Sequence, residues 1–172
     1  MKFTTLLSSV LACAASAYAG GTIEQPAAWT AIMPGSVFNF SYSINADYCK
    51  SSYGYSLYLV TETPVNMTPA QQWMSGYYFG HYDAENYPAV PYPTNPAPSN
   101  FTMPDFADSQ GGFGSGKPAS NATFNLMVME EWDDCEGALG RKIGLTTTPI
   151  VYNATDGYQA AMNAEAIARR SA

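Results

Sequence analysis

Aromatic and aliphatic side chains alternate with polar ones along several stretches of this chain. Over residues 36–45, every second position is apolar: Phe38, Phe40, Tyr42 and Ile44. A period of two places successive side chains on opposite faces of a β-strand, so the pattern predicts a half-buried strand. Asn39 falls on the outward face of that strand.

The same period predicts further strands. Tyr55, Leu57 and Leu59 alternate with Ser56 and Tyr58. Alternation and turn residues together predict strands at residues 22–30, 53–63, 77–82, 121–132, 142–148 and 150–153. Proline cannot donate to a ladder, so we expect Pro26 to mark a bulged edge and Pro149 to interrupt the last strand.

The middle of the chain has a different character. Residues 87–104 contain six prolines, which predict a long loop laid over the sheets rather than a regular ladder. Short strands separated by turn residues favour an all-β antiparallel sandwich, with one domain over residues 20–157. The tail, 158–172, is predicted to be a short helix or disordered. It carries Arg169-Arg170, either a dibasic processing site or two solvated arginines.

The first nineteen residues predict a secretory signal peptide. Lys2 is followed by a short apolar run and then by Ala17-Tyr18-Ala19, a small-x-small cleavage pattern. The run is too short to span a bilayer, so we expect cleavage after Ala19 and no membrane insertion. Cleavage removes Cys13 and leaves Cys49 and Cys135, which in an oxidising compartment are expected to form one disulfide. We expect each of these two cysteines to follow a strand, and we expect the two strands to run in the same direction.

Charge and sequons refine the compartment and the partners. The chain has a net charge of −7 and only 7 basic residues, which excludes a Lys/Arg patch for nucleic acid or anionic membranes. Asn-x-Ser/Thr sequons agree with secretion, and we expect about half of them to carry glycans on surface loops or outward faces. They begin at Asn39, Asn66, Asn100, Asn121 and Asn153.

A turn at Met33-Pro34-Gly35, the aromatic strand that follows, and the step Tyr48-Cys49 resemble the small secreted proteins of filamentous, mushroom-forming fungi. They are also similar to immunoglobulin-like modules of fungal cell-wall proteins. The resemblance covers about the first third of the mature chain. It implies an immunoglobulin-like sandwich and an extracellular or wall-associated location, and it implies no functional site.

Each catalytic or cofactor motif that the sequence suggests lacks a required residue. His81 is the single histidine, which excludes a two-histidine copper site, and no Gly-x-Ser-x-Gly elbow accompanies it. Residues 111–117 match Gly-x-x-x-x-Gly-Lys, but Pro118 replaces the magnesium-binding hydroxyl. We therefore expect no cofactor and no metal. The acidic run 130–136 is either a solvated turn, a cation site or the carboxylate pair of a hydrolase, and we favour the turn.

Tyrosines suggest the most specific binding hypothesis. Tyr77, Tyr78 and Tyr82 lie close together before the proline-rich loop. Exposed rings can stack on the apolar faces of sugars, but the same rings can anchor the loop to the sheets, which we favour. The sequence thus predicts a non-enzymatic extracellular protein that binds a wall glycan or a surface protein, including an effector-like role. A hydrolase using Glu130–Asp134 and a structural wall glycoprotein are the alternatives.

Overall fold

A computed structural model describes residues 20–44, 46–64, 76–108, 116–135 and 140–158. In this part of the chain the secondary structure is β-strand, apart from one helical turn at residues 156–158. The strands are β1 (Thr22–Gln25), β2 (Ala31–Ile32), β3 (Val37–Asn39), β4 (Ser41–Ser43), β5 (Lys50–Val60), β6 (Gly76–Asp83), β7 (Asn100–Thr102), β8 (Ala122–Asp134) and β9 (Lys142–Tyr152). The all-β prediction is confirmed.

The largest sheet has the strand order β2–β9–β8–β5–β6 and is curled like half a barrel. The pairings of β6 with β5, of β5 with β8 and of β8 with β9 are antiparallel. The pairing of β2 with β9 is parallel. The sheet is therefore mixed. Two antiparallel ribbons, β1–β4 and β3–β7, accompany it in the described ranges.

The core lies between the inner face of the large sheet and the two ribbons. Leu57 pairs with Val128 in the ladder, next to Leu59 and Leu126, and all four are at most 1% exposed. Each such side chain contributes about 1.5–3 kcal/mol when it is fully buried. The ribbons supply aromatic rings to the same core: Phe38 of β3 packs edge-on against Phe79, with ring centroids 6.0 Å apart.

The predicted strand at 36–45 is divided in the structure at Phe40. β3 pairs with β7, whereas β4 pairs with β1, so the two halves belong to different ribbons. The Phe40 N–H donates to Ser99 O at 2.9 Å at the point of division. The alternation is kept, because Phe38 and Phe40 are buried and Asn39 is exposed.

The prediction that Pro149 interrupts the last strand was wrong. β9 continues through Pro149, at a point where its ladder with β2 has not yet begun and β8 is its one neighbouring strand. β1 ends at Gln25 with a register shift after Ile23, which confirms the irregular edge but shortens the strand. The proline-rich region also contains β7, a strand that the sequence did not predict. The ring centroids of Phe101 in β7 and of Phe40 lie 5.4 Å apart.

The disulfide joins Cys49 and Cys135, as predicted. Cys49 lies between β4 and β5, directly before β5, and Cys135 directly follows β8. These strands are antiparallel neighbours, with Lys50 paired to Asp134, so the start of one meets the end of the other. The predicted pairing of the two cysteines is therefore confirmed, whereas the relative direction of the strands that precede them stays a prediction.

Several predictions concern residues outside the described ranges. These are the signal peptide at 1–19, the sequon at Asn66, most of the glycine-rich segment 110–117, and the tail beyond residue 158. In the described part of the chain, no helix has the length and apolar character needed to cross a bilayer.

Candidate binding face and a buried carboxylate

The three tyrosines predicted as a binding site lie on two different faces of β6. Tyr78 is 52% exposed and points outward. Tyr77 packs edge-on against Phe79 with centroids 5.0 Å apart, and both pack against the core. Tyr82 is only 9% exposed, and its hydroxyl donates to Phe79 O at 2.9 Å. The structure therefore does not bring the three rings together, and Tyr82 is a core residue.

A bulge in β6 explains why Tyr78 and Tyr82 differ. Tyr58 pairs with Tyr78, but the next pair is Leu57 with Gly80, which leaves Phe79 as an extra residue. Gly80 has a φ of +146°, and a Cβ there would lie 2.6 Å from the Tyr82 hydroxyl oxygen. The extra residue reverses the alternation, so Tyr82 faces inward although it is four residues from Tyr78.

On the outward face, Tyr78 forms an aromatic pair with Tyr58. The two rings are cross-strand partners whose centroids lie 5.0 Å apart at an interplanar angle of 37°. Tyr58 is half-buried beneath its partner. The alternation with Leu57 and Leu59 indicated that Tyr58 faces outward, but only the pairing of β5 with β6 identifies its partner.

A polar pair lies beside these rings. Ser56 is the cross-strand partner of the exposed His81, and Ser56 Oγ is hydrogen-bonded to His81 Nδ1 at 3.1 Å. Gly54 makes room for the imidazole, because a Cβ at that position would lie 3.0 Å from His81 Nε2. Ser56 precedes Tyr58 by two residues, about 7 Å along the strand and on the same face. The Tyr78 ring and the exposed His81 imidazole therefore lie on one surface, with Ser56, only 9% exposed, packed beside them.

The serine–histidine pair lacks the third member of a triad in the described residues. Asp83 is the nearest acid in sequence, but its Oδ2 accepts from the N–H groups of Asn95 at 2.8 Å and Thr94 at 2.6 Å. These bonds hold the pKa of Asp83 below its ordinary value. Asp83 thus fixes the loop that follows β6 and is not hydrogen-bonded to the imidazole.

Strand alternation separates the members of the acidic run. Glu131 is exposed and forms an ion pair with Arg141 at 2.9 Å, and Asp134 pairs with Lys142. Glu130 points inward and is 2% exposed. The described ranges contain no group of three or more acidic, histidine or cysteine residues placed to hold a metal ion.

Glu130 is held by three donors from other elements. Its Oε1 accepts from the Ser52 hydroxyl at 2.5 Å, and its Oε2 accepts from the Tyr42 hydroxyl at 2.6 Å. The Gly21 N–H also donates to Oε2 at 3.1 Å. The carboxylate therefore ties β8 to β5, β4 and the residue before β1. Glu130 has the same parity as the buried Leu126 and Val128 and Glu131 does not, so the alternation along β8 distinguishes the buried acid.

Burial raises the pKa of two tyrosines near this carboxylate. For Tyr42 the pKa rises well above the ordinary range, first because the ring is buried and then because Glu130 accepts its proton in a hydrogen bond. Burial, and then the charges of Tyr82 and Glu130, raise the pKa of Tyr55 to about 12. Both hydroxyls therefore stay protonated in the folded protein at neutral pH.

These shifts predict a loss of stability in alkali. Tyrosines of the unfolded chain ionise at about pH 10. Folded Tyr55 keeps its proton to about pH 12, so the folded state binds more protons over this range and its stability falls as pH rises. We expect the melting temperature, followed by circular dichroism, to decline above about pH 10. Tyr55→Phe should show a shallower decline, and an unchanged slope would contradict the assignment.

No protein-family model matches the chain, and no curated protein is significantly similar to it. The proposed function therefore depends on the geometry of the outward face of β5 and β6 and on that of the buried Glu130. The resemblance to fungal secreted proteins stays a prediction.

Proposed function

We propose that this chain is a secreted, non-enzymatic glycoprotein that binds a cell-wall polysaccharide through the outward face of β5 and β6. One observation carries the proposal: the aromatic pair of the exposed Tyr78 and the half-buried Tyr58 lies beside the hydrogen-bonded Ser56–His81 pair. A pyranose ring has an apolar face that stacks on an aromatic ring and hydroxyls that need donors and acceptors. This surface offers both.

Charge favours a neutral glycan over an anionic one. The chain has a net charge of −7, which repels acidic polysaccharides, nucleic acids and anionic lipid surfaces at long range. Chitin, β-glucan and cellulose carry little or no charge, so their binding depends on stacking and hydrogen bonds and should change little with salt.

The acidic run supports a structural role better than hydrolysis. A hydrolase needs two carboxyl groups that face a glycosidic bond from about 5–10 Å apart. Glu130 is 2% exposed and its oxygens already accept three hydrogen bonds, while Glu131 and Asp134 are in ion pairs. Binding therefore remains the better proposal for the protein as a whole.

The finer fold and the location belong to the same proposal. An immunoglobulin-like sandwich is supported by two antiparallel ribbons that share a core with the large sheet. Secretion after cleavage at Ala19 is supported by the Cys49–Cys135 disulfide, which is typical of oxidising compartments. Membership in the fungal small secreted proteins rests on sequence resemblance.

A pull-down tests the binding site. Purified mature protein is incubated with insoluble chitin, β-glucan and cellulose, and the bound fraction is compared with that of Tyr78→Ala. Losing one sugar–ring contact should weaken binding about fivefold or more, since such aromatic contacts contribute about 1 kcal/mol or more. Tyr87→Ala is the matched control, because Tyr87 is 84% exposed on the loop and outside the pair.

The outcomes separate the site from the ligand class. Equal loss in both variants, or full binding by Tyr78→Ala, would place the glycan elsewhere on the protein. Absence of binding to all three polysaccharides would reject a wall glycan as the ligand. A surface protein would then become the leading partner.

A further inference from the structure

The four sequons in the described residues form two contacting pairs. Asn39 of β3 is the direct cross-strand partner of Asn100 of β7. The N–H of Asn121 donates to the carbonyl of Asn153 at 3.1 Å, which joins the other two. The two pairs differ in what their side-chain amides do.

Asn121 and Asn153 have structural roles that explain why they are asparagine. Both have positive φ, 54° and 51°, a region that asparagine adopts more readily than other residues with a side chain. Asn153 Nδ2 donates to Ala119 O at 2.8 Å and to Ser120 Oγ at 3.0 Å. Asn121 Oδ1 accepts from the N–H of Thr155 at 2.8 Å and from its hydroxyl at 3.2 Å.

Asn39 and Asn100 have no comparable role. Both are exposed on outward strand faces, while their neighbours Phe38 and Phe101 face the core. Asparagine is disfavoured in strands, so the fold itself does not call for it at these positions. Asn100 Nδ2 makes one long contact, 3.4 Å to Ser99 Oγ, among the described residues.

The chemistry of N-glycosylation distinguishes Asn153 from Asn39 and Asn100. An oligosaccharide leaves a polyprenyl diphosphate donor, its C1 bonds to the asparagine Nδ2, and that nitrogen loses one proton. Asn153 uses both Nδ2 hydrogens, so a sugar there must displace Ala119 O or Ser120 Oγ, and rotating the amide away loses both bonds. Asn39 can accept the sugar without losing a contact seen in the described residues.

We infer that folded, secreted protein carries glycans on Asn39 and Asn100, and that Asn153 remains an unmodified structural amide. This inference rests on the proposed secretion. Transfer occurs on the unfolded chain, where every sequon is accessible, so the discrimination takes place at folding. Chains modified at Asn153 lose the bonds to residues 119 and 120 and are depleted from the folded pool.

The inferred glycans would cover a specific part of the surface. Asn39 borders an open groove of about 450 Å³ that is also lined by Gln25, Ile32 and Val37. Val37 is 65% exposed and lies two residues from Asn39 on the same face, so a sugar there would shield it. β3 lies across the core from the Tyr58–Tyr78 pair, so these glycans would leave the proposed binding face open.

Site-by-site occupancy tests the inference. The full chain is expressed in a secreting eukaryotic host, and folded protein is collected from the medium. Enzymatic deglycosylation in ¹⁸O-water converts each glycosylated asparagine to a labelled aspartate, which peptide mass spectrometry locates. We expect label at Asn39 and Asn100 and none at Asn153. Label at Asn153, or no label at Asn39 and Asn100, would overturn the inference.

Two variants and a second leader complete the design. Asn39→Gln should lose one glycan with an unchanged melting temperature, whereas Asn153→Gln should keep the wild-type glycan mass and melt about 4 °C lower or more. Unchanged stability of Asn153→Gln would contradict the structural role. The mature chain behind a host leader is analysed in parallel. If only the protein with the host leader is secreted, the proposal of native secretion is wrong. The peptide mass spectrometry of that protein then still measures the occupancy of each sequon.

Discussion

Replacing Glu130 by alanine is expected to lower the free energy of unfolding by about 3–5 kcal/mol. The substitution removes the acceptor for the hydroxyls of Ser52 and Tyr42. It also removes one of the two acceptors of the Gly21 N–H, which keeps the Tyr42 hydroxyl oxygen at 3.0 Å. Ser52 is 1% exposed, so its hydroxyl cannot bond bulk water instead. Donors left buried without an acceptor keep the full cost of their desolvation.

Urea unfolding measures this effect against two matched variants. Glu131→Ala removes an exposed ion pair on the adjacent residue and should cost less than about 1 kcal/mol. Glu130→Gln keeps one acceptor oxygen at nearly the same volume, so its loss should lie between the two. If Glu130→Ala were no more destabilised than Glu131→Ala, the carboxylate would not hold the four segments together as described.

Replacing Cys49 and Cys135 together by serine should cost about 4–5 kcal/mol. The disulfide spans 86 residues of sequence, and a crosslink that closes so long a loop removes much conformational freedom from the unfolded chain. Because Lys50 and Asp134 are already paired in the ladder, the folded sheet should change little when the bridge is absent.

Comparison of oxidised and reduced protein provides the control for this variant. Reductant should bring the urea midpoint of the wild type close to that of the double serine variant. It should leave the double variant itself unchanged, since no bridge remains to be reduced. A wild type that kept its midpoint after complete reduction, verified by thiol titration, would show that the bridge contributes little to stability.

Alternation predicted the strands because it is a local property of the chain. The alternating residues Leu57 and Leu59 of β5 are both buried in the structure, as their spacing indicated. The partner of a strand depends on residues far away in the sequence. The alternation over 36–45 therefore predicted one strand, whereas its first half pairs with β7 and its second half pairs with β1. A proline-free triplet, Asn100–Thr102, became β7 because β3 lay beside it.

The candidate site was harder to predict than the fold. Tyr78 and Tyr82 have the same parity in sequence, and only the bulge at Phe79 sends them to opposite faces. Tyr58 and Ser56 became candidates through their cross-strand partners, Tyr78 and His81, which no local pattern reveals. A residue's face follows from its neighbours in sequence, whereas its partners follow from the register.

The parallel pairing of β2 with β9 has a consequence for biosynthesis. Ala31, near the beginning of the chain, aligns with Val151, near the end of the described residues. During vectorial synthesis the early strand emerges first and must wait without its partner until β9 has left the ribosome. Pairings this distant in sequence are slow to form and expose strand edges meanwhile. Completion of the large sheet therefore has to follow the synthesis of β9, the last strand of the described residues.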